Sequence, residues 1–382
     1  MSIDREKADL ALGRVGRPEM TDFRHWLWAA ENSTQFYRRW VDQFPWLTFL
    51  GAVLVLKKYF ACALVLCCLV CPAEAAGIQL IDSGPGLAGA IWYPCVGEPK
   101  DVALGKLAPP VDIALPGVKN CPVVGAKLPL VIFSHGRGGW FGGHNDTAEA
   151  LANAGFVVAA VNHPGDSGSD SSQRDSLSVL ASRPADMIRL LDFMLSSWKD
   201  RAAIDPAKVG FFGFSAGAYT GLVLAGGNPD FRRIAPLCTE LNKSRGCEQF
   251  RNNDIPSNPP HEPRIRSAVL ADTAVNFAFT KEGLAGVQIP LLIWRSELGG
   301  GGVDPKNSLL TANNLPGKPD IRTVPANHFA FLPPCPPQLA MAVPRICTDL
   351  PAGFDRAAFH RDFNASVVTF FRDSLASDGA AR

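Results

Sequence analysis

From residue 78 onward, short apolar runs alternate with stretches in which apolar residues recur every three or four positions, as in strands followed by amphipathic helices. Residues 128–133 (LPLVIF) and 156–161 (FVVAAV) are nearly unbroken apolar runs, which predicts parallel strands covered on both faces. Residues 209–212, 267–270, 291–294 and 321–324 supply further strands. The earlier runs 78–81 and 88–93 flank Gly84, Pro85 and Gly86, which predicts an antiparallel pair joined by a tight turn. Helices are predicted over 145–154, ending at Gly155, and over 184–198, with Pro184 in the first turn and Ile188, Leu191 and Leu195 on one face. A closing helix over 354–371 carries Phe359, Phe363, Val367 and Phe370 at helical spacing, with His360 beside that stripe as a surface or hydrogen-bonded histidine. Residues 94–127 read as a Pro- and Gly-rich loop, and the polar, Pro-rich residues 230–264 as an inserted loop or small cap. The fold class expected from this alternation is α/β, with a mostly parallel central sheet and helices on both faces.

Composition narrows the function. The chain has 382 residues with 37 Lys and Arg against 36 Asp and Glu, so no net field draws it to nucleic acid or to an anionic membrane surface. Of ten cysteines, Cys62, Cys67, Cys68 and Cys71 share one apolar run, and six remain: Cys95, Cys121, Cys238, Cys247, Cys335 and Cys347. None of the six has the spacing of a zinc site, and three disulfides formed in an oxidising compartment are expected. Pairing each cysteine with its nearest neighbour in sequence (95 with 121, 238 with 247, 335 with 347) is one of fifteen connectivities.

The apolar run also bears on compartment. Between residues 46 and 71 it is interrupted by Lys57 and Lys58, each costing roughly 2.5 to 3.5 kcal/mol at the centre of a spanning helix. The part after the lysines, residues 59–71, falls short of the ~20 residues a span requires. Two lysines, a short apolar core and Ala73, Glu74, Ala75 ahead of Ala76 fit a signal peptide and its cleavage site. The expected organisation is an N-terminal extension over 1–56 arising from a mis-assigned start, with translation beginning near residues 53–56. A signal peptide or membrane anchor over 57–75 follows, then one α/β domain over 76–382 with 230–264 as its inserted loop or cap. An exported protein, periplasmic or secreted, is expected; the alternative is a protein anchored by residues 46–71, and only in that case would it contact a membrane.

The chemistry-bearing pattern is Gly213, Phe214, Ser215, Ala216, Gly217, a GxSxG sequence directly after a predicted strand and before a helix-permissive run. Glycines at both ends let a strained turn lift the serine hydroxyl above the sheet edge. A serine hydroxyl is a weak nucleophile near neutral pH and needs a base, which in turn needs an orienting carboxylate. In this motif both follow the serine in sequence. Three histidines do: His261 in the polar insertion, His360 on the last helix, and His328 in the short loop after the last strand, which is the expected base. Three carboxylates lie at strand ends or just beyond: Asp272, Glu297 and Asp304. Asp272 is the first choice for the acid, with Glu297 the principal alternative. Backbone N–H groups of Ala216 and of Arg137, in the glycine-rich loop after residues 128–133, are the expected oxyanion donors. His135 is expected to brace that loop and His163 to form a wall of the pocket.

Together the stretches PLVIFSHGRGG (129–139), GFVVAAVNHP (155–164), VGFFGFSAG (209–217), 266–272 and NHFAFL (327–332) resemble the α/β-hydrolase superfamily, and within it the dienelactone-hydrolase-like and platelet-activating-factor acetylhydrolase-like serine esterases. The resemblance implies the α/β-hydrolase fold and an exported hydrolase of carboxylic esters (short-chain acyl esters, lipid acetyl esters or lactones) that uses neither cofactor nor metal. It also favours Asp272, because the acetylhydrolases carry their acid after the corresponding strand. Many dienelactone-like relatives carry it one strand later, near Glu297. Dienelactone hydrolases proper have cysteine where this chain has Ser215. The partners implied are small-molecule or lipid esters. An acyltransferase on the same residues, or a non-catalytic binding protein on the same scaffold, are the other classes the sequence accommodates.

Overall fold

The structure is a computed structural model that describes residues 74–84 and 86–376. The N-terminal extension, nearly all of the signal-like segment and its four cysteines lie outside the described residues. Ten strands form one sheet: β1 (Glu74–Asp82), β2 (Ala88–Val96), β3 (Lys100–Ala103), β4 (Ala114–Lys119), β5 (Leu128–Ser134), β6 (Val157–Val161), β7 (Ile204–Phe214), β8 (Ile265–Ala271), β9 (Leu291–Ser296) and β10 (Asp320–Val324). Their order across the sheet is β10-β9-β8-β7-β5-β6-β2-β1-β4-β3. The six strands from β10 to β6 run parallel, and β2 closes them antiparallel, with Gly89 opposite Val161. Gly89 lies so close to β6 that a Cβ there would come within 1.9 Å of the Ala160 carbonyl oxygen.

The unbroken apolar runs are explained by the two faces they cover. Leu130, Ile132, Phe211, Leu270 and Ile293 point to one side, where they pack on α2 (Leu177–Ser196) and α3 (Ala216–Leu224). Val131, Phe133, Phe212, Val269 and Leu292 point to the other, against α1 (Asn145–Asn153) and the long C-terminal helix α8 (Arg356–Ala376). Four shorter helices complete the described set: α4 (Arg245–Arg251), α5 (Asn307–Asn314), α6 (Pro337–Ala342) and α7 (Pro344–Cys347). Successive strand residues alternate sides, so a parallel strand sandwiched between helices needs apolar side chains at every position.

Two sequence expectations are corrected and a third is narrowed. The helix expected from Pro184 begins at Leu177, where the Ser176 hydroxyl accepts the Val179 N–H at 3.0 Å, and Pro184 lies in its interior. A strong N-cap and the burial of Leu177 and Val179 outweigh the local cost of the proline. The stretch 94–127 is not only a loop: β3 and β4 pair antiparallel within it, and β4 joins the main sheet beside β1 through Gly77 and Ile78. His360 is buried with Nδ1 2.6 Å from Asp146 Oδ2 and Nε2 2.8 Å from the Ala330 carbonyl oxygen, both acceptors, so of the two expected roles it takes the hydrogen-bonded one.

Disulfides join Cys95 to Cys121, Cys238 to Cys247 and Cys335 to Cys347, the nearest-neighbour pairing. No helix among the described residues is long and apolar enough to cross a membrane. The first bridge fastens β2 to the chain leaving β4 and closes the longest covalent loop, 26 residues apart in sequence. Replacing both Cys95 and Cys121 by alanine is expected to lower the unfolding free energy in urea by about 3 to 4 kcal/mol, the loop-closure value for that length; an unchanged midpoint would contradict this.

Candidate active site

Ser215 occupies the turn between β7 and α3 with φ 56° and ψ −115°, a conformation costly for a residue with a side chain. Its neighbours explain how that turn is held. A Cβ on Gly217 would sit 1.9 Å from the Ser134 carbonyl oxygen, and one on Gly213 would sit 2.2 Å from that of Gly217, so the elbow closes only with glycine at both places. The Ser215 N–H donates to the Ala271 carbonyl at 2.8 Å, tying the turn to the end of β8.

The carboxyl ends of the next strands bring the other groups to this point. His328, in the loop after β10, places Nε2 3.0 Å from Ser215 Oγ and Nδ1 2.6 Å from Asp272 Oδ2. Asp272 follows β8 in a left-handed conformation, φ 49°, and is buried. Its carboxylate accepts the Ser296 N–H (2.8 Å) and the Ser296 hydroxyl (2.7 Å) as well as the imidazole. A carboxylate accepts only, so Nδ1 of His328 carries the proton and Nε2 is free to accept from the Ser215 hydroxyl. Phe214 stacks on the imidazole at 4.6 Å, and the His328 N–H donates to the Gly299 carbonyl, which fixes both the plane and the height of the ring.

Of the other carboxylates considered from sequence, Glu297 is exposed and Asp304 caps the turn at Lys306. Neither bonds His328; its Nδ1 partner is Asp272. His261 is exposed in the insertion. Arg137 and Ala216 both border the cleft with Ser215. Ala216 opens α3, so no carbonyl within the helix claims its N–H, and none among the described residues accepts that of Arg137. The cleft has a volume of about 500 Å³. Leu177 and Leu180 of α2, Ile234 and Leu237 of the insertion, and Val275 and Phe277 give it apolar walls. The Arg137 guanidinium lies at its rim, paired with Asp175.

Behind the site lies a second hydroxyl, imidazole and carboxylate chain that sequence reading missed. Ser134 Oγ is 2.8 Å from His163 Nε2, and His163 Nδ1 is 2.8 Å from Asp186 Oδ2. His163 is wholly buried and does not line the cleft, which corrects its expected place in the pocket wall. Its N–H donates to His135 Nε2, and His135 Nδ1 donates to the Gly136 carbonyl, so His135 does brace the glycine-rich loop. Asp166, in the same loop as His163, does border the cleft, whereas Ser296 and the fully buried Arg183 were also missed. Arg183 had a readable mark: it falls on the same helical face as Met187, Leu190 and Met194, where a charge needs a buried partner. Among the described residues no cluster of three or more His, Cys, Asp or Glu side chains is arranged to hold a metal.

Residues 110–193 match the family described as platelet-activating factor acetylhydrolase, isoform II. Among solved structures, a ferulic acid esterase from Streptomyces cinnamoneus superposes with a TM-score of 0.52 at 18% identity, over 81% of this chain and 92% of that one. The chain has the α/β-hydrolase fold and resembles the platelet-activating factor acetylhydrolases. No curated protein matches it. The family match supports a hydrolase acting on esters, and the likeness to the ferulic acid esterase bears on the fold.

The buried histidines of this α/β-hydrolase make its stability depend on pH. Burial pushes His144, packed edge-on against Phe212 and Phe214, down to about 3, and neither ring nitrogen has a hydrogen-bond partner among the described residues. Burial also holds His135 and His163 well below the usual imidazole range, helped by the Arg183 charge. In each case the unfolded chain binds a proton below pH ~6.5 that the folded chain refuses, so stability falls on acidification by about 1.4 kcal/mol per pH unit per group. Asp186 acts oppositely: burial raises it to about 6 against the pull of Arg189, and its share of the cost is relieved below that pH. Net stability should therefore fall between pH 6.5 and 4. His144→Phe should flatten the slope by about 1.4 kcal/mol per pH unit in urea titrations across that range; a variant with the parent slope would show that His144 titrates normally.

Proposed function

We propose that the protein is an exported serine hydrolase of carboxylic esters, with Ser215 as nucleophile, His328 as general base and acid, and Asp272 as the carboxylate that orients it. The observation carrying this reading is the unbroken hydrogen-bond chain from Ser215 Oγ, which borders the cleft, through His328 to Asp272. His328 Nε2 takes the hydroxyl proton as Oγ attacks the ester carbonyl carbon, and Asp272 stabilises the imidazolium that results. The carbonyl oxygen becomes an oxyanion, which the N–H groups of Ala216 and Arg137 receive. Collapse of the tetrahedral species expels the alcohol, protonated by His328, and leaves the acyl group on Ser215. Water then repeats the sequence, deprotonated by His328, to release the acid and restore the hydroxyl.

The site's surroundings suit this chemistry. Ser296 gives Asp272 two hydrogen bonds besides that of His328, which fix the carboxylate in the orientation that meets the imidazole. The apolar walls accept the hydrocarbon part of an ester, and the family matching residues 110–193 supports an ester substrate. Three disulfides fit folding in an oxidising compartment and hence export.

The test is labelling of the full-length protein with a fluorophosphonate ester, the adduct located by peptide mass spectrometry. The adduct is expected on Ser215 and absent in Ser215→Ala, which should also lack hydrolysis of p-nitrophenyl esters. Asp272→Asn should lower kcat by about 10³- to 10⁴-fold, the loss seen when an orienting aspartate is neutralised, while Glu297→Gln should match the parent enzyme. A folded protein that hydrolyses esters but takes no label at Ser215 would sink the assignment.

A further inference from the structure

The two backbone donors assigned to the oxyanion come from different parts of the chain, the loop after β5 and the first turn of α3, and they serve only if their spacing is held. One buried guanidinium touches both. Arg183, on α2, is wholly excluded from solvent. Its NH2 donates to the His135 carbonyl and lies 3.4 Å from Ser134 Oγ. Its Nε donates to Thr220 Oγ1 at 3.2 Å, and that hydroxyl donates in turn to the Ala216 carbonyl at 3.1 Å. Its NH1 donates to Asp166 Oδ2 at 2.7 Å, and the other oxygen of Asp166 accepts the Gly138 N–H at 2.9 Å. The peptide carrying the Arg137 N–H is thus gripped on both sides, at His135 and at Gly138. The residue carrying the Ala216 N–H is gripped through Thr220.

We propose that Arg183, with Asp166 as its counter-ion, is a positioning residue that sets the distance between the Arg137 and Ala216 donors and so holds the oxyanion hole open to its working width. The proposal rests on the serine-hydrolase reading of Ser215. A guanidinium suits the task because its planar fork offers donors in fixed directions to three elements at once, which an ammonium on a flexible stem does not. Burying a charge at this point is expensive, and it is matched by a carboxylate that does half of the gripping. Arg183 touches neither Ser215 nor His328 and does not line the cleft, so its effect falls on the tetrahedral state and not on substrate binding.

The prediction is a separation of kcat from KM. Arg183→Lys keeps the charge but loses the fork. It should lower kcat on p-nitrophenyl esters by about 10- to 100-fold with KM unchanged, because donors displaced by a fraction of an ångström forfeit much of the oxyanion stabilisation. Affinity for a trifluoromethyl ketone, which forms the tetrahedral adduct, should fall by the same factor as kcat. Thr220→Val, nearly isosteric and fully buried, should act in the same direction by about 3- to 10-fold, and Thr220→Ser, which keeps the hydroxyl, should restore the parent values. Melting temperatures identify any variant that fails to fold; if Arg183→Lys is one, Thr220→Val decides. Parent kcat and ketone affinity in the folded variants, or a loss shared equally by KM, would overturn the positioning role. Failure of the parent protein to take fluorophosphonate at Ser215 would instead remove the reading on which it rests.

Discussion

Everything at the site depends on how closely α3 approaches the end of β5. The space between the Gly217 Cα and the Ser134 carbonyl is too small for a methyl group, and the same is true between Gly213 and the Gly217 carbonyl. Closing the turn that far forces Ser215 into positive φ, and the energy for this comes from the packing of α3 against the sheet through Tyr219, Leu222 and Val223. Once Ser215 is raised there, its N–H meets the Ala271 carbonyl, and the chain turns at Asp272 directly beside it. The approach that exposes the hydroxyl thus also brings the carboxylate strand alongside.

Around this turn the protein buries more polar chemistry than an apolar sheet core easily tolerates. Ser134, His163, Asp186, Asp166, Arg183 and Thr220 are all at or near full burial, and all have hydrogen-bond partners. A satisfied network of this kind rigidifies what it touches, because every member would lose a partner if the loop or helix moved. Among the described residues His144 and the Tyr219 hydroxyl are exceptions with no partner, and the cost of His144, a neutral imidazole among phenylalanines, appears as acid sensitivity and not as lost geometry.

The cleft walls are built from the segments least regular in sequence. The insertion supplies Ile234 and Leu237 from a short 3-10 turn, closed by the Cys238–Cys247 disulfide and fixed to the body where the Gly246 N–H meets the Asp175 carbonyl. Arg137 borders the same cleft as Ser215, and its side chain pairs with Asp175, another of the residues around it.

The linear sequence by itself determined the parallel strands, since unbroken runs such as FVVAAV have one stable home, between two layers of helices. It also determined the serine turn, since glycines at 213 and 217 with a strand before and a helix after describe a local object that needs no distant partner. The Cys95–Cys121 bridge and the strands β3 and β4 within 94–127 were less legible, because they depend on pairing at the edge of the sheet. The tertiary structure alone decided which carboxylate meets His328. The sequence ranked Asp272, Glu297 and Asp304 without excluding any, but it is Asp272, itself in a left-handed conformation, whose carboxylate is met by Ser296 from the neighbouring strand and bonds His328. It alone also brought Arg183 to Asp166 and His163 to Ser134, residues 17 and 29 positions apart in sequence. Periodicity records which side of an element is buried, and contacts between elements record what a buried polar group finds there.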